Sequence, residues 1–89
     1  MRIKSNYVLQ NVADEYLIVP IAEEADRLHG VIKLNETGAF LWNCLIDGVE
    51  SKDELEKAIL REYNADHFIA SQDIDGFVSK LKSIGCLEE

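Results

Sequence analysis

Residues 30–46 read GVIKLNETGAFLWNCLI. Val31, Ile32 and Leu34 suit a short strand. Asn35 is a favoured helix N-cap, and Glu36 just inside it complements the positive end of a helix dipole. Phe40, Leu41, Trp42, Leu45 and Ile46 then place large apolar groups at helical spacing. The stretch is therefore a strand, a polar joint and an amphipathic helix, and the rest of the chain is arranged around it.

Upstream, Tyr7 to Val12 alternates so that Tyr7, Leu9 and Asn11 share one face and Val8, Gln10 and Val12 the other. Ala13-Asp14-Glu15 reads as a tight turn, and Tyr16-Leu17-Ile18-Val19 as a second strand completing a hairpin. Pro20 suits a strand end. The charged run Ala22 to His29 reads as a loop or extended connection, and Gly30 permits a turn before the third strand, Val31 to Leu34.

Downstream, three helices are expected. The first spans about Asn35 to Asp47 and stops at Gly48. The second opens on Ser51-Lys52-Asp53-Glu54, the pattern of a capping box. Leu55, Ala58, Ile59 and Tyr63 mark its apolar face, and Asn64-Ala65-Asp66 ends it, with Asp66 placed to cap the next helix. The third runs from about His67 to Ile84, with Ala70, Ile74, Phe77, Val78 and Leu81 as its stripe and Gly76 as an unfavourable interior residue. Gly85 stops it, and Cys86-Leu87 return an apolar pair to the body in the manner of a Schellman ending. Strands first and helices afterwards make an α+β class with a three-stranded antiparallel sheet.

Eighty-nine residues make one domain, residues 1–89. A chain this short buries only about 60–65% of its unfolded surface, so the 47% apolar content must be well patterned. Nine basic against seventeen acidic residues give a net charge of −8, which opposes a phosphate backbone and an anionic membrane surface alike. A protein or peptide partner fits that charge better. No apolar run reaches the length of a membrane span, and the N-terminus lacks a signal-peptide core, which points to the cytoplasm.

Catalytic and metal chemistry find no motif. His29, Cys44, His67 and Cys86 are too widely spaced for a zinc site, and the cysteines read as buried thiols rather than a disulfide. Cys44, between Trp42 and Leu45, reads as core rather than as a nucleophile. The glycines form no phosphate loop, and there is no Asp-Ser-Leu of the kind an acyl carrier uses.

The run Gly30-Val31, then Leu34-Asn35-Glu36-Thr37-Gly38-Ala39-Phe40-Leu41-Trp42, resembles the PqqD family, whose members are also called RiPP recognition elements. Glu54-Leu55, Tyr63, Asp73-Ile74, Phe77-Val78, Leu81 and Gly85-Cys86-Leu87 follow in the family's order. Cys86 stands where a leucine is commoner. The resemblance implies a winged-helix-like fold, no catalysis and no cofactor. It implies binding of the leader segment of a ribosomally made precursor peptide, presented to a modifying enzyme, often a radical SAM protein. The leader is expected to add a strand beside Val31, Ile32, Lys33 and Leu34 and to lie against Ile74, Phe77, Val78 and Leu81 of the third helix.

The residues make strand addition reasonable. Lys33 within a short edge strand is a device that keeps an open edge from aggregating, and an open edge can accept a peptide through main-chain bonds. Two other readings compete. A winged-helix nucleic-acid binder would have only Lys80 and Lys82 as cations on its third helix, with Asp73 and Asp75 opposing them. A structural subunit or homodimer would pair the same edge with a second copy.

Overall fold

The hairpin shows how the sequence builds its sheet. In the computed structural model, which describes residues 1–21, 32–64 and 66–88, Arg2–Ile3 form β1, Tyr7–Val12 β2 and Glu15–Pro20 β3. β2 and β3 pair antiparallel from Tyr7↔Pro20 to Val12↔Glu15. The turn is only Ala13 and Asp14, both at positive φ (51° and 66°). Two left-handed residues give the turn the hand that matches strand twist, so Glu15 belongs to the strand and not to the turn.

Ile32–Leu34 form β4, which pairs antiparallel with β3 as Tyr16↔Leu34, Leu17↔Lys33 and Ile18↔Ile32. The sheet order is β2-β3-β4. The segment from Ala22 to His29, Gly30 and Val31 lies outside the described residues.

Glu36–Ile46 form α1, Lys52–Glu62 α2 and His67–Ile84 α3. The Gly38 N–H donates to Asn35 Oδ1 at 2.7 Å, so the expected cap forms. A Cβ on Gly38 would sit 3.2 Å from that oxygen and 3.3 Å from Leu34 Cβ, which explains a glycine at this strand-to-helix joint. Asp66 Oδ1 accepts from the N–H groups of Phe68 (2.9 Å) and Ile69 (3.3 Å). At the far end Gly85 is left-handed (φ 88°), and both Gly85 and Cys86 donate N–H bonds to the Leu81 carbonyl.

The capping box of α2 does not form. The Ser51 side chain makes no cap hydrogen bond, and the Glu54 N–H donates instead to the Ser51 carbonyl oxygen at 3.2 Å. The backbone turn satisfies the donor that the hydroxyl would have served.

Leu87–Glu88 form β5, which pairs with β1 as Arg2↔Glu88 and Ile3↔Leu87. The Met1 ammonium donates to the Val49 carbonyl oxygen at 2.7 Å and Val49 returns a bond to Met1. Arg2 Nη2 reaches the Asp47 carbonyl oxygen (3.3 Å), placing a cation at the C-terminus of α1, which has no basic residue in its own last turn.

One face of the sheet meets the helices. Ile18 and Tyr7 join Leu41, Trp42, Leu45, Leu55, Ile74, Val78, Leu81 and Cys86 in one core. Phe40 stands at its rim, edge-on to Tyr63 with ring centroids 5.6 Å apart. Among the described residues no helix is long and apolar enough to cross a membrane.

Candidate functional site

β4 has β3 on one side, and among the described residues no strand lies on the other. Beside that edge runs a groove of about 270 Å³. Lys33, Leu34 and Asn35 supply one wall, Thr37, Gly38 and Leu41 the end nearest α1, and Gln72, Asp73, Gly76, Phe77 and Lys80 of α3 the other wall.

The strand wall owes its orientation to the ladder. Side chains alternate, so Ile32 and Leu34 face the core side with Ile18 and Tyr16, while Lys33 projects from the opposite face. There its ammonium pairs with the Glu15 carboxylate at 3.0 Å, a diagonal cross-strand ion pair. Both partners are exposed, so the pair contributes at most about 1 kcal/mol.

The edge itself is marked by Lys80. Its ammonium donates to the Lys33 carbonyl oxygen at 3.1 Å. That carbonyl therefore points away from β3. In an antiparallel strand a residue's N–H and C=O point the same way, so Lys33 presents both groups to the groove.

Of the helix residues expected at the groove, Phe77 lines it. Ile74, Val78 and Leu81 are at most 2% exposed and fill the core under the sheet. The reason is geometric. The apolar stripe of a helix marks the face turned to the body, and a groove along a neighbouring strand must lie on the stripe's flank. That flank is Gln72, Gly76 and Lys80, successive positions one turn apart, with Asp73 beside them. An interior glycine followed one turn later by a lysine was the available signal. Val31 lies outside the described residues.

The perturbed thiols lie elsewhere. Burial pushes Cys44 on α1 upward against the opposing pull of Arg61, and pushes Cys86 to about 11. Both are free thiols, and Cys44 is half-buried rather than enclosed. His67 pairs with Glu56 across the α2–α3 joint. Among the described residues no three His, Cys, Asp or Glu side chains converge as metal ligands would. The groove offers backbone hydrogen-bonding groups, an apolar floor, two lysines and one aspartate, which suits recognition of an extended chain.

Two solved structures share this architecture. TbiB1 in complex with the TbiA(beta) leader peptide is 24% identical, with a TM-score of 0.75 over 99% of this chain and 95% of that one. Lasso peptide synthetase B1 complexed with the leader peptide is 21% identical, with a TM-score of 0.70 over 92% and 89%. At these identities the likeness speaks for the fold. No curated protein matches the chain. The sequence profile of coenzyme PQQ synthesis protein D matches residues 7–87, and the chain belongs to the PqqD family.

Proposed function

We propose that this chain is a non-catalytic adaptor, a single peptide-binding domain that takes the leader segment of a ribosomally made precursor peptide as an added strand along β4. It then presents that peptide to a modifying enzyme. The carrying observation is the Lys33 backbone, whose N–H and C=O face a groove instead of a neighbouring strand. Strand addition uses such groups for generic affinity, and the side chains along the groove for specificity. Leu34, Leu41 and Phe77 form an apolar floor there, and Gly76 keeps the α3 wall low. Family membership and the leader peptides bound by the two structural neighbours support the same reading. Asp73 and Asp75 are exposed on α3, which opposes the nucleic-acid alternative.

The test is a titration of the isotope-labelled protein with synthetic leader segments of the precursor peptides encoded in the same genome. The Lys33 and Leu34 amides are expected to shift saturably. Saturable binding that leaves them unmoved would remove β4 as the site, and absence of binding at high peptide concentration would remove the function.

A further inference from the structure

The Lys80 ammonium stands over the free edge of β4, yet its partner is a neutral carbonyl. Among the described residues it has no carboxylate. The helical positions one turn away on either side are Gly76, Phe77, Ser83 and Ile84, and none is acidic. The other lysine at the groove, Lys33, is already paired with Glu15. Of the two lysines lining the groove, Lys80 is thus the one left without a carboxylate partner among the described residues. Asp73, on the same wall, is two helical turns away, about 10 Å along the axis. Asp14, Glu15 and Glu36 flank the groove's other side, near the hairpin tip.

We propose that Lys80 is a specificity-determining residue that selects a leader strand carrying an Asp or Glu at the position opposite it. This rests on the reading of the groove as a leader site. A strand added to β4 donates an N–H to the Lys33 carbonyl oxygen. That oxygen has two acceptor positions, so the ammonium either shares it or leaves it. In both cases the cation lies against the bound strand and gains from a carboxylate there, because hydrogen bonds between charged groups are the stronger kind. A strand without an acid leaves it with the neutral acceptor alone.

The probe is a messenger-RNA-displayed library of random peptides, selected in parallel on the wild-type protein, Lys80→Gln and Lys80→Arg. Selected peptides are sorted by whether they shift the Lys33 amide. The protein's negative charge biases the whole pool toward basic peptides, so an acid enriched at one register stands out against that bias. Wild type and Lys80→Arg should enrich Asp or Glu at one position, and Lys80→Gln should not. In the best wild-type peptide, exchanging that acid for its amide should weaken binding about fivefold on wild type and leave binding to Lys80→Gln unchanged. Groove binders with no acidic position, or the same preference in Lys80→Gln, overturn the proposal while leaving the groove intact. If no selected peptide moves the Lys33 amide, the groove reading falls and this inference with it.

Discussion

The Lys80 ammonium donates to the Lys33 carbonyl oxygen at 3.1 Å, joining the far end of α3 to the exposed edge of β4. The contact fixes which backbone groups of β4 serve its own sheet. Ile32 and Leu34 hold the ladder to β3, and Lys33 points outward.

That alternation makes Lys33→Pro an informative substitution. Proline removes only the outward N–H, and an edge position tolerates its ring. The Glu15 ion pair is also lost, so stability should fall by less than about 1 kcal/mol in urea unfolding. Leader binding should weaken about ten- to a hundredfold, because a strand carbonyl loses its donor in a closed interface. Lys33→Ala, which keeps the N–H, should bind normally. Equal binding by the proline variant would mean that the peptide does not pair with this edge.

Gly76 separates folding from binding. A Cβ there meets nothing within 4 Å. Gly76→Ala should therefore gain up to about 1 kcal/mol in helix propensity, raising the melting temperature by roughly 4–8 °C. Gly76→Leu should also fold, but its side chain would stand in the groove and lower leader affinity. A destabilised alanine variant would show that the glycine serves the fold.

The parts legible in the sequence were those set by near neighbours. Asn35, Asp66 and Gly85 act within one turn, and each has the expected role. Ser51 shows the limit of such signals, since the backbone supplied the bond its hydroxyl was expected to make. The β1–β5 ribbon was not legible. Two-residue strands carry no periodicity, and the paired residues Arg2 and Glu88 are far apart in sequence. The groove was half legible. Lys33 and Leu34 stood out as an edge, whereas the α3 stripe named core residues and concealed the polar flank of Gln72, Gly76 and Lys80.

The caps of α2 and α3 predict unequal costs. Asp66→Ala removes an acceptor serving two N–H groups and should cost about 1 kcal/mol. Ser51→Ala removes no side-chain bond and should cost less than about half of that. Chemical denaturation of both variants checks the order, and a costlier serine variant would restore the capping box.

The hairpin turn holds Ala13 and Asp14 in a left-handed conformation, which disfavours residues with a Cβ. Replacing the pair with Asn-Gly, the residues such a turn prefers, should stabilise the fold by about 1 kcal/mol. Thermal melts check this, and a melting temperature no higher than that of the wild type would show that the left-handed turn carries no cost.

Cys86 makes stability depend on alkaline pH. Its side chain is fully buried, and its thiol donates toward the Leu81 carbonyl oxygen at 3.7 Å. Burial raises its pKa from 9.0 to about 11. The folded state thus binds the proton more tightly than the unfolded state. Its contribution is complete below pH 9 and is lost as pH rises through about 11. The loss is of order 3 kcal/mol at most. Urea unfolding at stepped pH should show this fall, and Cys86→Ala, less stable at neutral pH because of the cavity it leaves, should show a flatter one. Folded Cys86 should also resist thiol reagents at pH 8 while the half-buried Cys44 reacts first. An unchanged alkaline slope in Cys86→Ala would assign the pH dependence to other groups.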